Sequence, residues 1–382
     1  MAQKVLVTGA KGHTGSFLVK LLVEKGCEVV ATDLPPRERS DLMKKETVFR
    51  NDLHYMDIEV MEGVTFMPAD LTDKESLRPL FKDQQFDVVY HPASLYDYFA
   101  LIDLLRKINV GGFKNLLEVI HEECDPFPRF LHWSTCGVYG QPKYERDPKT
   151  KMPIPANETA PYDPPNAYSV SKREQEELLK ELAAQWNIPY TIIRPGPIYG
   201  PYQSYGMFHI FYLINRIGWM AAPHAYPRWR RLMMPMVHVE NLVQGAEFLA
   251  QHDEAIGEAY NVCDDPVTQE EWLEYVYTLL GIKYTNFIVP WIFYKAMAGY
   301  LYGIVRKENE KARKWNLRPH IDLSMADYIS HQYYFSNQKI KNLGFKFKWD
   351  PISGTAETIK WYKDRGWLES EQPAIIKDPR EA

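Results

Sequence analysis

The chain has few cysteines, no block of basic residues and no uninterrupted apolar run long enough to cross a bilayer. Its four cysteines, Cys27, Cys124, Cys136 and Cys263, form no Cys-x-x-Cys pair, so we expect reduced thiols, a cytoplasmic setting and no bound metal. The net charge of −5 without a basic cluster argues against nucleic-acid binding. The first strand pattern begins at Lys4, so we expect no signal or transit peptide.

Aromatic residues, in contrast, make up 14% of the chain, and many of the 25 Tyr and 10 Trp lie in its second half. The apolar segment 287–305 is nearly long enough to span a bilayer, but Pro290, Lys295 and Gly299 interrupt it. We interpret this segment as an amphipathic helix that lines an apolar pocket, with shallow insertion into a membrane surface as the alternative. Segment 207–222 presents the same choice.

Tyr168 and Lys172 are four residues apart, so on a helix both side chains point into the same cleft. A free tyrosine has a pKa of about 10, and a fixed cation beside it favours the phenolate. The pair therefore predicts a phenol that acts as a general base near neutral pH. Because this spacing also occurs by chance on exposed helices, the prediction depends on the rest of the chain.

Residues 4–33 predict a dinucleotide-binding unit. A short apolar strand is followed by the turn TGAKGHTG (residues 8–15), a helical apolar pattern and a second strand that ends at Asp33. Glycines allow the backbone to approach a pyrophosphate, and the helix N-terminus offers unpaired N–H groups. Asp33 would accept hydrogen bonds from ribose hydroxyls and repel the additional phosphate of NADP, so NAD is the predicted cofactor and NADP the less favoured one. Arg37 and Arg39 would partly offset that repulsion.

Strand and helix patterns alternate as far as residue 195 and predict an α/β fold with a Rossmann-type, doubly wound parallel sheet. Beyond Gly196, Pro, Trp and Tyr become frequent, which indicates a smaller, discontinuous C-terminal substrate-binding domain. We assign residues 1–195 to a dinucleotide-binding domain to which residues 235–264 return, and residues 196–234 and 265–382 to the substrate-binding region. Ligands of such sheets bind at the carboxyl ends of the strands.

Seven short motifs occur in an order that resembles the extended short-chain dehydrogenase/reductases, over nearly the whole chain. They are TGxxGxxG (8–15), DLT (70–72), HPA (91–93), NVGG (109–112), STxxVYG (134–140), YxxxK (168–172) and RPG (194–196). Segments RPGPIYGP (194–201) and VHVEN (237–241), together with residues 335–345 and the aromatic stretch after Pro290, most resemble the 3β-hydroxysteroid dehydrogenase and sterol-4-carboxylate 3-dehydrogenase branch. His13 and Thr14 depart from the family, which usually has an aromatic and an apolar residue there.

The resemblance implies a role for each matching residue. Tyr168 would take the proton of the substrate alcohol as hydride leaves for the nicotinamide, while Lys172 would hold the nicotinamide ribose and lower the pKa of Tyr168. Thr135 would hydrogen-bond the substrate oxygen, with Ser134 as the fallback, unless both merely end a strand. Asn109 would either bridge backbone segments or take part directly. The implied cofactor contacts are Gly9, Lys11, Gly12, His13, Thr14, Gly15, Asp33, Asp70, Leu71, Pro92, Ala93, Lys172, Pro195 and Ile198.

The substrate is less clearly indicated. The family's 4,6-dehydratases need an acidic pair directly after the catalytic Thr, whereas this chain has Cys136 and Gly137 there, which argues against dehydration. The surrounding aromatic and aliphatic residues suit a large apolar ligand, so we expect NAD-dependent oxidation or reduction of a 3β-hydroxysteroid or sterol-4-carboxylate. Arg230 and Arg231 would then grip a carboxylate beside the alcohol. Alternatively, they would bind the diphosphate of a sugar nucleotide or stay solvated.

Two other functions remain open from the sequence. One is a nucleotide-sugar epimerase or an NAD(P)-dependent ketone reductase of the same superfamily, and the other is an NAD-binding sensor or scaffold without turnover. The intact set of Thr135, Tyr168 and Lys172 argues against the sensor. The resemblance also implies a homodimer formed through the helices near residues 101–121 and 169–184.

Overall fold

The computed structural model describes residues 2–34, 56–315, 319 and 321–368. One parallel sheet lies at its centre. Its strands are β1 (Lys4–Thr8), β2 (Glu28–Thr32), β3 (Val64–Phe66), β4 (Val88–His91), β5 (Arg129–Trp133), β6 (Tyr190–Pro195) and β10 (Glu258–Val262). Their spatial order is β10–β6–β5–β4–β1–β2–β3, and every neighbouring pair is parallel.

Helices cover both faces of this sheet. On one face pack α1 (His13–Glu24) and α7 (Val239–Ala250), and on the other α2 (Lys74–Phe81), α4 (Gly112–Glu123) and α5 (Ala167–Trp186). Because successive side chains of a strand point to opposite faces, Val5 and Val7 of β1 pack with α1 whereas Leu6 packs on the other side. All three are fully buried, as expected of a parallel strand covered on both faces. The predicted α/β fold with a doubly wound parallel sheet is confirmed.

A π-helical turn interrupts the helical segment that precedes β5. Helix α3 (Ile102–Leu105) runs through a π-helical turn (Arg106–Gly111) into α4, and such insertions frequently occur near functional sites. The turn carries the buried Asn109, which accepts a hydrogen bond from the backbone N–H of Leu95 (2.7 Å) and donates one to Ser171 Oγ (3.0 Å). Asn109 therefore joins the segment after β4 to α5, and the structure favours the bridging interpretation of this residue.

The remaining elements follow β6 in the chain. They are β7 (Ile198–Tyr199), α6 (Met207–Asn215), β8 (Trp219–Tyr226), β9 (Val237–His238), α8 (Gln269–Leu280), β11 (Lys283–Pro290), α9 (Trp291–Lys314), α10 (Leu323–Ser330), α11 (Gln338–Asn342) and α12 (Pro351–Asp364). β7 pairs with β9, and β8 with β11. A separate aromatic core includes Phe211, Trp272 and Tyr362. β10 brings the chain back to the central sheet, whereas the boundaries of the two domains stay a prediction.

The two long apolar segments of the sequence differ in how they pack. In residues 207–222, the side chains of helix α6 such as Met207, Phe208 and Phe211 lie in the aromatic core, whereas Ile217 and Trp219 after it are exposed. In residues 287–305, β11 ends at Pro290 and α9 begins at Trp291, with many apolar side chains exposed. Within the described ranges, the structure has no helix both long enough and apolar enough to cross a membrane.

Candidate active site

A cavity of about 680 Å³ lies at the carboxyl ends of the parallel strands. Residues predicted for the site meet in it although they come from distant parts of the chain. The predicted residues that line it are Gly9, Gly12, His13, Thr14, Gly15, Asp33, Asp70, Leu71, Pro92, Ala93, Ser134, Thr135, Tyr168, Lys172, Pro195 and Ile198. Three predicted residues, Lys11, Arg230 and Arg231, lie elsewhere.

The glycine turn owes its shape to close backbone packing. Gly9 has a φ of +60°, which disfavours any residue with a Cβ, and a Cβ added there would lie 2.7 Å from Ala93 Cα. A Cβ at Gly15 would clash with the carbonyl oxygen of Gly9. The turn therefore lies flat against the segment after β4 and leads into the N-terminus of α1, whose first N–H groups border the cavity.

Asp33 fixes the glycine turn from the end of β2. Its carboxylate accepts hydrogen bonds from the backbone N–H groups of Lys11 and Leu34, both at 2.8 Å. The side chain of Lys11 pairs with Glu59, and its ammonium lies 4.4 Å from the centre of the Phe66 ring. The Lys11 side chain is thus held by a carboxylate and a ring, while its backbone stays in the glycine turn, so its cofactor contact stays a prediction. Arg37 and Arg39 lie outside the described residues.

His13 explains how the turn tolerates a polar residue where an aromatic one is usual. Its ring packs edge-on against Phe17, and its Nε2 hydrogen-bonds the carbonyl oxygen of Pro201 at 2.8 Å. Burial lowers the pKa of His13 to about 4. The neutral ring therefore keeps an aromatic packing role and donates from Nε2, which ties the first turn of α1 to the loop after β7.

Tyr168 and Lys172 lie in the first two turns of α5. The helix begins after Asn166, whose side chain accepts a hydrogen bond from the Ser169 N–H (2.9 Å) and caps the helix. Both functional side chains are buried and border the cavity. Their spacing thus brings phenol and amine to the same cavity wall, as the sequence predicts.

Burial sets the protonation of this pair. It raises the pKa of the Tyr168 phenol above its ordinary value, against a smaller lowering effect of the Ser94 side chain. Burial also lowers the pKa of Lys172 to about 7, opposed by the charge of Glu176. The shift of the Tyr168 pKa is therefore upward and caused by burial, whereas the resemblance implies a lowering by Lys172.

Lys172 is positioned by a side-chain relay. Its Nζ donates to Gln175 Oε1 at 2.8 Å, and Gln175 Nε2 donates to the carbonyl oxygen of Asn109, also at 2.8 Å. The π-helical turn that holds Asn109 therefore also fixes the amine. Gln175 was not among the residues singled out by sequence, although its position three residues after Lys172 on the same helix face is a signal for it.

Thr135 and Ser134 follow β5, but their hydroxyl groups do different things. Thr135 Oγ1 accepts a hydrogen bond from the Gly137 N–H at 3.0 Å, which caps a short 3₁₀ turn and leaves its O–H able to donate to a ligand oxygen. Ser134 Oγ donates to the carboxylate of Glu176. The structure therefore favours Thr135 over Ser134 as the substrate-oxygen donor, because the Ser134 hydroxyl already donates to Glu176.

Behind Ser134 lies a buried ion pair that the sequence analysis missed. Arg194 Nη2 and Glu176 Oε2 are 2.6 Å apart, and both side chains are almost fully buried. Burial alone would raise the pKa of Glu176, but hydrogen bonds and charge from Arg194, with Ser134 and Tyr162, hold it below its ordinary value. Glu176 follows Lys172 by one helical turn, so this pair anchors α5 to β6 directly beneath the candidate catalytic residues.

Cys136, which directly follows Thr135, is a buried structural thiol. Its Sγ lies 3.1 Å from the carbonyl oxygen of Arg194 and 3.7 Å from Cys263 Sγ. Burial raises the pKa of Cys136 well above its ordinary value, and such a thiol is a poor nucleophile. In the part of the chain that the structure describes, no group of three or more His, Cys, Asp or Glu side chains is placed to hold a metal ion.

Aromatic residues surround Tyr168 on the open side of the cavity. The rings of Tyr96 and Tyr98 stand edge-on to the Tyr168 ring at 5.1 and 5.4 Å. The other residues on this side include Phe99, Leu104, Lys107, Tyr205, His209, Ile210, Met234, Asp322 and Tyr328. This wall is mainly aromatic and aliphatic, with tyrosine hydroxyls as its most frequent polar groups.

Arg230 and Arg231 line a different cavity. Arg231 Nε forms an ion pair with Glu270 at 2.8 Å, and the Arg230 guanidinium stacks 4.5 Å from the Trp229 ring centre. Both arginines border a space of about 600 Å³ together with Trp291. The structure thus places Arg230 and Arg231 beside Trp229 and Glu270, outside the lining of the main cavity, and their contact with a substrate stays a prediction.

Comparison with known proteins places these features in a family. The model of the NAD dependent epimerase/dehydratase family matches residues 5–263. The dTDP-D-glucose 4,6-dehydratase of Bos taurus is 22% identical over 387 residues, which cover 99% of this chain and 95% of that protein. The UDP-glucose 4-epimerase of Streptomyces lividans is 30% identical over 188 residues, 48% of this chain and 49% of that protein.

A solved structure shares the fold at low sequence identity. The Thermus thermophilus UDP-glucose 4-epimerase in complex with NAD superimposes with a TM-score of 0.63 and 22% identity, covering 94% of this chain and 99% of that chain. At this level of identity the likeness concerns the fold alone.

Proposed function

The chain belongs to the NAD dependent epimerase/dehydratase family, and from that premise we propose that it binds NAD and oxidises or re-forms a secondary alcohol of its substrate. The observation that carries this proposal is the meeting of Tyr168, Lys172 and Thr135 with the glycine turn around one cavity. The family is the one that the motifs predict. Its relatives named above support the sugar-nucleotide branch rather than the hydroxysteroid branch.

The residues present fit a dinucleotide. Gly9 and Gly15 let the turn pack closely on Ala93 and on its own backbone. This packing leads into the N-terminus of α1 at the cavity, where a pyrophosphate is favoured. Asp33 stands at the end of β2, where an acid accepts hydrogen bonds from ribose hydroxyls. Asp70 and Leu71 line the cavity beside it and would border the adenine. When bound, NAD accepts hydride from the alcohol carbon and can return it.

The side chains at the other end of the cavity would move the proton. Thr135 would donate a hydrogen bond to the substrate oxygen and hold it within reach of Tyr168. The Tyr168 hydroxyl would take the alcohol proton during oxidation and give it back during reduction. Burial raises the pKa of Tyr168, so the free phenol holds its proton and would take up a second role as base only when substrate and cofactor are bound.

A sugar nucleotide is our first candidate substrate, because the curated relatives act on such compounds by name. Within that class we favour epimerisation or simple oxidoreduction over dehydration. Dehydration requires an acidic pair after Thr135, and the chain has Gly137 and the buried, weakly acidic Cys136 in its place. Lys107 and His209 line the same cavity as Tyr168 and are the basic side chains there that would contact a diphosphate.

A neutral, largely apolar alcohol such as a sterol is the second candidate. The aromatic and aliphatic wall formed by residues such as Tyr96, Tyr98, Tyr205 and Met234 favours it. The positions of Arg230 and Arg231 also favour a substrate without a diphosphate, because both lie away from this cavity.

In the deciding experiment, the protein is mixed with NAD and with one substrate at a time. The four substrates are UDP-glucose, dTDP-glucose, a neutral 3β-hydroxysterol and a 4-carboxysterol. NADH absorbance measures net oxidation, and NMR of the products detects an inverted carbon when no NADH accumulates. We expect an epimerised or oxidised sugar. Turnover of the sterols alone would replace the first candidate by the second, and NAD binding without turnover of any alcohol would support the sensor or scaffold instead.

A further inference from the structure

Helix α9 and its neighbouring strands expose a continuous apolar surface that the proposed chemistry does not use. We name it the α9 patch. Its side chains are between 39% and 74% exposed: Tyr226, Phe287, Ile288, Ile292, Phe293, Met297, Tyr300, Leu301 and Ile304. Single exposed apolar residues are normal on any protein, whereas a contiguous group of this size marks an interaction site.

Pairing and helical periodicity make the patch continuous. β8 and β11 pair so that Tyr226 lies beside Pro290, directly before the first turn of α9. Along α9, residues 293, 297, 300, 301 and 304 repeat at helical spacing and form its outer face. The inner face includes the buried Asn309 and Ala312 and packs toward α10. The helix therefore packs its inner face on the protein and turns an apolar outer face to solvent.

Charge distinguishes the two halves of α9. The patch occupies its first half, and residues 306–314 follow with five basic and two acidic residues, a local charge of +3 on a chain with a net charge of −5. An apolar face with bulky aromatic and aliphatic residues beside a basic segment is the pattern of helices that lie in the interface of an anionic bilayer.

We propose that the α9 patch docks this protein on an anionic membrane surface, with the apolar first half of α9 inserted shallowly and residues 306–314 on the lipid headgroups. A second copy of the chain fits the surface less well. If two α9 helices paired side by side in parallel, their basic segments would face each other. In an antiparallel pair each basic segment would face the apolar half of the other helix. Either arrangement carries an electrostatic or desolvation penalty that lipid headgroups remove.

Docking in this way also orients the active site. The guanidinium of Arg313 lies 4.3 Å from the centre of the Phe99 ring, and Phe99 lines the open side of the main cavity. The basic end of α9 is therefore next to the cavity wall around Tyr168. On a membrane, the cavity would open close to the headgroup region, whichever alcohol it accepts.

Vesicle flotation of the full chain tests the proposal. Vesicles of phosphatidylcholine are compared with vesicles that also contain anionic phosphatidylglycerol, at low and high salt. We expect binding to the anionic vesicles that weakens with salt. The double variant Ile292→Glu/Phe293→Glu should lower the partition coefficient at least about tenfold, because the inserted apolar area is lost. Lys307→Glu/Lys311→Glu should abolish the preference for anionic over neutral vesicles.

Ile256→Glu is the matched control. Ile256 is an exposed apolar residue in the loop before β10, an edge strand of the central sheet, and it is not part of the α9 patch. Its replacement should leave vesicle binding unchanged. Size-exclusion chromatography is run on the same proteins. Failure of the unmodified protein to float with either vesicle overturns the proposal. So does a dimer that becomes monomeric in Ile292→Glu/Phe293→Glu, because the patch would then bind a second copy.

Discussion

In the central sheet, Val5, Leu6 and Val7 of β1 are all buried, because helices cover both faces of the strand. Along the first half of α9, residues of the same chemical type, such as Ile292 and Leu301, stand largely in solvent. Apolar side chains thus stabilise the fold in one region and remain available for binding in the other. The active-site residues lie in the first region, where burial shifts their pKa values, whereas the α9 patch can change without disturbing them.

Among the variants considered, Tyr168→Phe in the buried region should have the largest effect, and that effect is on the turnover rate. Removal of the hydroxyl takes away the proposed acid/base, so we expect kcat to fall about 10²–10⁴-fold. NAD affinity should change little, because the phenyl ring still fills its place between Tyr96 and Tyr98. Single-turnover rates and NAD titration measure the two quantities. Activity that survives the substitution would assign the proton transfer to another group.

The Glu176–Arg194 pair should contribute strongly to stability. Glu176→Gln leaves Arg194 buried with its charge uncompensated, which costs about 3–5 kcal/mol of unfolding free energy. The pKa of Glu176 is lower in the folded protein than in the unfolded chain. The ion pair therefore stabilises the fold fully at a pH above the unfolded-state pKa, and this stabilisation is lost as the pH falls through the folded-state pKa. Urea unfolding at several pH values measures it.

Glu177→Gln is the control for that variant. Glu177 is the next residue on α5, but it pairs with Arg173 on the exposed side of the helix. An exposed pair of this kind contributes about 0–1 kcal/mol. Equal losses for the two variants would mean that burial of the Glu176–Arg194 pair does not govern its effect.

Lys172→Met should abolish turnover but stabilise the fold by roughly 1–3 kcal/mol near neutral pH. The pKa of Lys172 is about 7 in the folded protein and ordinarily 10.5, so the unfolded chain binds more protons between these values. The folded protein should therefore gain stability as the pH rises from 7 to 10.5, and the variant should lose this dependence. Thermal unfolding over this pH range tests the sign, and a steeper rise in the variant would contradict it.

Ile292→Glu/Phe293→Glu should have the smallest effect on the isolated protein. Both side chains are exposed, so the unfolding free energy should stay within about 0.5 kcal/mol for each exposed substitution. Leu18→Ala, in the sheet region, is the comparison and should cost about 2–5 kcal/mol. A loss at α9 as large as that at Leu18 would mean that the patch is covered by the protein itself.

Localisation, homodimer formation and the division into domains stay predictions. The helices that the resemblance implies for the dimer are α3 to α5, and none of them carries a residue of the α9 patch. Leu101 and Leu104 are exposed at the start of that helical region. Leu101→Glu therefore tests a dimer formed by these helices. If the variant becomes monomeric but still binds vesicles, the dimer does not form through α9.

Local sequence determined much of the sheet region. The positive φ of Gly9 and the close approach of Gly15 to the Gly9 carbonyl act within the turn of residues 8–15, and Tyr168 and Lys172 share a helix face by spacing alone. Alternating strand and helix patterns were enough to predict the parallel sheet, because βαβ connections leave few topologies. These features depend on short-range geometry, so the order of residues is sufficient to predict them.

The tertiary structure decided where side chains point when two partners are distant in the chain. Lys11 turns to Glu59, Ser134 serves Glu176 instead of a substrate, and Arg231 pairs with Glu270. Periodicity likewise predicted an amphipathic helix in residues 287–305 but not which of its faces would be covered. A hydrophobic pattern in the sequence indicates which face of a helix is more stable when it is removed from water. Whether the protein itself buries that face of α9 depends on how β8, β11 and α10 pack around the helix, which only the tertiary structure shows.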